Sequence, residues 1–538
     1  MNCQQNRVKR IIGGRGACVG YTVTIIMCLL GSAFAPSVSF IEQGGIHEYC
    51  NSSTEWHNRA VLMSSLNGLA KGDHFYVENY TFCVMGGILV EKSLVNVTIY
   101  LDGTLTFSVE KDEWPRQRSQ RHRQLDGEHG DEERKNKHDG EDEAHEDERD
   151  KNRAPVMQAL DFYYLENVFL SSSGGADARG TLNGQGYAWW RHEDIRKIKS
   201  DRPRLLTIRS SRNVVMEKWR LLNSPFWSFL ATDVDGFTVR SCEALTSWSY
   251  SHQTPPSKSL FKRLLLWLWK CLSWYSKWVY ALDSLRELTA YNTDGFDFQG
   301  DNVHGHDLRV QTADDAIAVK GTSSNHLYER INVNSGLGLA IGGIGSDTVR
   351  NVTFRNCVLA HTIKAIYIKI LWRDSGPDES GKVGIFDVLY ENITITRPQQ
   401  FAVWIGPAQQ TGQHCSLKWP YRGATCQMSA YQQLDGITLR NITIYDPLFS
   451  PGVVLGNESN PITRLTFSRV QVRSRSTWFF LPNLSPWGFH YHCLNAQGQA
   501  IYSSPSPTCL VDYGLYLQAS ATLLACIAVV ALLIGAVP

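Results

Sequence analysis

The chain has 538 residues, 53 Lys and Arg against 52 Asp and Glu, and a formal net charge of +1. That balance excludes the basic footprint of a nucleic-acid-binding protein and leaves no net charge to steer a polyanion, so any positive potential must be local to a cleft. At this length the chain forms either several ordinary domains or one repeat fold, in which each unit contacts only its neighbours.

Residues 1–40 read as a secretory signal. Lys9, Arg10 and Arg15 precede an apolar run over 17–35 that closes on Ala33-Phe34-Ala35. Pro36 follows directly, so a nearby cleavage point or an uncleaved signal anchor is an equal reading. Residues 41–108, with short alternating runs and a turn at Gly72-Asp73, read as an N-terminal cap and first coils. Residues 109–153 turn to Glu, Asp, Arg, Lys and His and read as a charged disordered insert, with too little apolar surface to order itself. Coils resume from 154 and run to 509. Trp189-Trp190 reads as core packing. Within 248–288 lies an amphipathic insert: Leu260, Leu264, Leu268, Cys271, Trp274 and Trp278 follow helical spacing, with Lys262, Lys270 and Lys277 on another side. Such a helix can lie on a membrane surface, or the insert is without function.

The stretch 292–320 organises the rest. Asn292 to Asp314 is 22 residues and Asp314 to Gly336 is again 22. A repeat of that length with β-branched runs predicts coils of a parallel β-helix. Stacked coils are about 4.8 Å apart, so residues one period apart come out one above another. Asp294, Asp314 and Gly336 are therefore expected on consecutive coils, and Asp294, Asp314 and Asp315 should converge. Converging carboxylates suit glycoside hydrolysis: crowding parts their pKa values, leaving one protonated as acid and another ionised as base. The plain alternative is that acids in a Gly-rich turn only cap turns. Asp297, Asp301 and Asp307 are read as turn residues of that kind.

Beyond 320, repeated Asn-Ile-Thr-Ile and Asp-Gly-Ile-Thr-Leu phrases mark further coils, and 451–509 should cap the solenoid. Within 510–538, the uncharged run 515–537 is long enough to span a bilayer and reads as a transmembrane or GPI-type tail. Of 13 cysteines, Cys415 and Cys426, Cys493 and Cys509, and Cys50 and Cys83 are expected to pair, while Cys242 and Cys357 fill buried positions. No Cys-x-x-Cys occurs, which argues against a structural zinc site, and no metal or cofactor is expected. Asn51, Asn79, Asn96, Asn351, Asn392, Asn441, Asn457 and Asn483 head sequons; these agree with secretion, but Asn-x-Thr is also what a turn entering a strand contains.

Asn292-Thr293-Asp294 and Asp314-Asp315, with Gly180-Thr181-Leu182-Asn183-Gly184-Gln185-Gly186 upstream and Gly336-Leu337-Gly338 and Tyr367-Ile368-Lys369 downstream, resemble the polygalacturonase family, glycoside hydrolase family 28. The resemblance covers roughly 60–509 outside the two inserts. It implies an all-β, right-handed parallel β-helix that inverts the anomeric carbon. Carried over, Asp314 is the general acid, Asp294 and Asp315 share the base role, and Lys369, Tyr367 and Asn292 bind substrate. The family's His and Arg are here Leu337 and Tyr367. Rhamnogalacturonan hydrolases of the family also lack that His and carry an apolar or aromatic residue for the Arg, so a branched or mixed pectin is as plausible as plain polygalacturonate. Trp372, Trp404, Trp419 and Tyr421 are candidates for stacking on sugars, or core. The expectation is a secreted or surface-anchored monomer acting on an acidic polysaccharide, without nucleic-acid partners and with the C-terminal tail in the membrane. A catalytically impaired glycan-binding surface protein is the alternative. A polysaccharide lyase would need a basic residue, commonly with Ca²⁺, rather than a carboxylate triplet.

Overall fold

Short β-branched runs separated by turns produce coils whose strands pair in parallel with the coil below and the coil above. The computed structural model describes residues 37–47, 49–117, 154–175, 179–190, 201–246, 290, 292–375, 383–410, 412–420, 423–473 and 486–513. One coil comprises Ile317–Val319, Ser323–Glu329 and Asn332–Asn334; the next comprises Leu339–Ile344, Thr348–Arg355 and Val358–Ala360. Every pairing between these strands is parallel, which makes the chain a parallel β-helix. The register stacks Phe298, Val319, Ile341, Ile368, Ile405 and Val454 in one inward column, all fully buried. Each such side chain contributes about 1.5–3 kcal/mol on burial, and each touches its like on the next coil.

The corners follow from the same repetition. Asn167, Asn213, Asn302, Asn325 and Asn351 all take positive φ, the left-handed conformation that Asn tolerates better than most residues. Their amides form a ladder: Asn325 Nδ2 donates to Asn302 Oδ1 at 3.2 Å, and Asn351 Nδ2 donates to Asn325 Oδ1 at 2.8 Å. The sequon residues Asn96, Asn351, Asn392 and Asn441 are corner residues of this kind, so the turn accounts for Asn there without carbohydrate. Asn325→Ala should therefore lose two ladder bonds and strain its corner. About 1–3 kcal/mol of stability is expected to go, read as a lowered urea midpoint at unchanged slope.

Both ends are closed. Asn51 caps the helix Ser52–Gly68, its side chain accepting from the Thr54 amide, and the helix buries Leu62 and Leu66 against the first coils. The disulfide Cys50–Cys83 ties that helix down; Cys493–Cys509 ties the far end, and Cys415–Cys426 closes a loop between them. Cys242 and Cys357 are buried thiols, as expected, and burial pushes both up to about 12. Trp189 and Trp190 are core.

Three sequence boundaries are corrected. Ser37–Ser39 pairs with His74–Val77 and Phe40 is fully buried, so the fold starts inside the stretch assigned to the signal. Trp114 is buried edge-on against Trp189 and its indole donates to the Met157 carbonyl, so the charged insert starts after 117. Ser52 Oγ donates to Glu113 and Arg116 pairs with Asp201, so polar contacts hold the same segment. Val511–Asp512 pairs with Gln499–Ala500, so the cap runs past 509. The remainder of the charged insert, the amphipathic insert, the signal run and the apolar tail lie outside the described residues. Among the described residues no helix is long and apolar enough to cross a membrane.

Candidate active site

The three predicted carboxylates converge on the outer face of one sheet. One ligand atom from each of Asp294, Asp314 and Asp315 lies within 4.8 Å of the others. The register differs from the expected one by a residue. Phe296 pairs with Ile317 and Ile317 with Leu339, so counting back two aligns Asp294 with Asp315 and then Leu337. Asp314 projects beside that column. Gly336 has φ +79, and a Cβ there would fall 2.5 Å from the Asp314 carbonyl oxygen, so the turn requires glycine. The Leu337 amide donates to that same oxygen at 2.8 Å, fixing the backbone under the acid.

The environments of the three differ. Asp294 and Asp315 are buried, while Asp314 is partly exposed. Asp315 Oδ2 accepts from Lys369 Nζ at 2.7 Å, and Asp294 Oδ2 from Lys320 Nζ at 3.1 Å. Their second oxygens, Asp294 Oδ1 and Asp315 Oδ1, are buried without a hydrogen-bond partner among the described residues. Among the described residues Asp314 is in ion-pair contact with no ammonium; Asn292 Nδ2 donates to it at 3.1 Å and the Asp315 amide at 2.9 Å. Burial, then the charges of Asp294 and Asp315, push the Asp314 carboxyl up to about 8. Burial also raises Asp315, against the pull of Lys369. Burial opposes the charged forms of Lys320 and Lys369, but their carboxylate partners win and both pKa values rise. Two ammonium groups thus already neutralise the donor set that a divalent cation would need.

Sequence reasoning missed part of this. Asp297 is not a turn residue. It is the second residue of the strand Phe296–His306, fully buried, with Lys320 Nζ 2.8 Å from its Oδ2. Burial, with Asp294 and Asp315 adding to it, raises its pKa well above the usual range despite Lys320. The alternation Phe-Asp-Phe was the available signal, since an acid between two inward rings must face outward. Lys320 Nζ also lies 3.5 Å from the Trp227 ring centroid. Asn292, expected to bind substrate, spends its amide on Asp314. Tyr367 is 3% exposed and its hydroxyl accepts from the Gln409 amide at 3.2 Å, so it forms wall rather than a free contact.

That wall is a second apolar cluster on the outer face. Register stacks Ala318, Ala340, Tyr367, Trp404 and Val453, and Phe401 packs on Trp404. Trp404 is fully buried; Trp419 and Trp487 pack on the cluster and are partly exposed. Trp372 stacks on His414 at 3.8 Å. Tyr421 lies outside the described residues.

Comparison with known proteins adds the decisive observation: residues 168–476 match the model of glycosyl hydrolases family 28. The chain belongs to that family. It is 25% identical over 241 residues to an endo-polygalacturonase of Pectobacterium carotovorum subsp. carotovorum, covering 42% of this chain and 48% of the relative. It is 44% identical over 101 residues to a probable rhamnogalacturonase E of Aspergillus niger, covering 19% of this chain and 21% of the relative. The chain thus spans about half or less of the length of these curated relatives. Among solved structures, the endo-xylogalacturonan hydrolase of Aspergillus tubingensis superposes with a TM-score of 0.56 at 15% identity, over 88% of this chain and 99% of that one. That likeness is one of fold. Within this family 28 chain, the matched segment contains the whole carboxylate cluster, Lys320, Tyr367 and Lys369.

Proposed function

We propose that the protein is a glycoside hydrolase that cleaves galacturonate-containing pectic polysaccharide by general acid–base catalysis. The observation that carries this is the division of labour among three carboxylates on one patch. Asp314, raised to about 8, keeps its proton at neutral pH and gives it to the leaving oxygen. Asp294 Oδ1 and Asp315 Oδ1, unpartnered among the described residues, are the acceptors that take the proton of the attacking water. Lys320 and Lys369 hold both carboxylates in place and put positive charge where an acidic sugar would sit.

The reaction is read as inverting: one water attacks the anomeric carbon and displaces the leaving sugar through a single transition state. The oxygens converge within 4.8 Å, closer than the roughly 6.5–9.5 Å between the paired carboxyls of most inverting enzymes, so the test must report stereochemistry. The purified protein is incubated with polygalacturonate, rhamnogalacturonan and xylogalacturonan, and the first-formed anomer is read by NMR. Cleavage with the inverted anomer is expected; the retained anomer would make one of the buried acids a nucleophile. Because the acid must be protonated, the rate should fall as pH rises through about 8. Leu337 and Tyr367 at the family's His and Arg positions favour one second reading, a protein that binds the polymer without cutting it. Binding with no cleavage of any of the three polymers would establish it.

Three disulfides support a site of action outside the reducing cytosol. With the apolar runs over 17–35 and 515–537, they support a secreted or membrane-anchored protein.

A further inference from the structure

Lys364 opens the strand Lys364–Ile370 and is 4% exposed. A buried ammonium is costly unless paired. Lys320 and Lys369 meet that requirement with carboxylates; Lys364, among the described residues, is in ion-pair contact with none. Its contacts are the Gln400 side-chain oxygen at 2.7 Å and two rings, with Nζ 4.9 Å from the centroid of Tyr367 and 5.2 Å from that of Trp404. Both rings belong to the outer-face wall, so the ammonium lies on the cleft side of the sheet and not in the interior core. Lys369 Nζ is 4.7 Å from the same Tyr367 ring. The Tyr367 ring is therefore attended by two lysines, of which only one has a carboxylate.

We propose that Lys364 binds a carboxylate of the substrate, adding beside Tyr367 a positive charge to those of Lys320 and Lys369. This rests on the reading of the substrate as a uronate polymer. An ammonium has three donors, and Gln400 accounts for one. A sugar carboxylate brought to Nζ provides the missing counter-charge and leaves the carboxylates of Asp314 and Asp315 undisturbed. Other charged groups near Lys364 are Lys369, Asp314 and Asp315. Burial first, then Lys369, pull the free amine down to about 7, a direction that a bound carboxylate reverses. Affinity for an acidic ligand should accordingly fall as pH rises through about 7.

The test is equilibrium binding of oligogalacturonate, and of its fully methyl-esterified counterpart, to the full chain and to its Lys364→Met and Lys364→Arg variants. Binding does not require cleavage, so the result stands apart from whether hydrolysis occurs. Loss of one charge-assisted contact corresponds to about a 10- to 100-fold weaker affinity. Lys364→Met should show that loss on the acidic ligand alone, with an unchanged melting temperature. Lys364→Arg, charged at all accessible pH, should retain affinity and abolish the break near pH 7. Equal weakening on both ligands would assign Lys364 to the wall and overturn the proposal. So would unchanged affinity in Lys364→Met, or no binding of the acidic ligand by the wild type. If the wild type binds with the predicted dependence yet cleaves nothing, Lys364 stands and the hydrolase reading falls.

Discussion

Asp314→Asn should lower the rate of pectic hydrolysis by about 10²–10⁴-fold while leaving polymer affinity within a few-fold of wild type. An amide has the shape of the acid; Asn292 Nδ2 and the Asp315 amide donate to opposite oxygens of Asp314, so the amide oxygen keeps one of these bonds and Asn292 can turn its own side-chain oxygen to the new NH2. What it lacks is a proton of the required acidity. The loss should therefore fall on kcat, which marks an interaction made in the transition state and not in the ground state. An Asp314→Asn protein with wild-type kcat would remove the assignment of the acid. The high-pH limb near 8 belongs to the same group, so the residual activity of the variant should be flat there.

Lys369→Met should be strongly destabilising. Its ammonium lies 2.7 Å from Asp315 Oδ2, with side chains only 11% and 1% exposed. Removing one partner of such a buried pair leaves an uncompensated charge and costs about 3–5 kcal/mol. The effect has a sign with pH. Lys369 has a raised pKa in the folded protein, so its contribution is complete at neutral pH and is lost only far above it. Asp315 without its partner would rise further, so Lys369→Met should be less destabilised in acid than at neutrality. Chemical denaturation of the variant at pH 5 and pH 8 reads this, and adding Asp315→Asn should recover part of the loss at pH 8. Equal destabilisation at both values would mean that the methylene stem, not the charge, is what matters.

The acids were legible in the sequence because they sit in two short turns one coil apart, where chemistry and period agree. Their register was not. Phe296 to Ile317 is 21 residues and Ile317 to Leu339 is 22, and a one-residue change in one coil moves the stack from Asp314 to Asp315. The same limit hid Lys364: its neighbours in space are a ring one coil away and Gln400, and no local spacing announces them. Asp297 was misread for the opposite reason. Acidic residues near glycine usually mark turns, and only strand alternation shows that this one faces the site. The disulfides were easier, since each joins two cysteines consecutive in the chain, at an end or across a loop.

The stretch 247–289 divides the chain between Glu243–Leu245 and Phe296–His306, yet Phe229 still pairs in parallel with Phe296 and Leu245 with Gln311. A solenoid's register is set coil against coil, so that corner is a permissive port. Peripheral sequence can be gained, lost or exchanged there over generations without renegotiating the fold. The port reopens into Ala290, just ahead of Asn292-Thr293-Asp294. A guest segment installed there would be delivered to the edge of the carboxylate patch, and new specificity could be acquired by grafting while the carboxylates stay where they are.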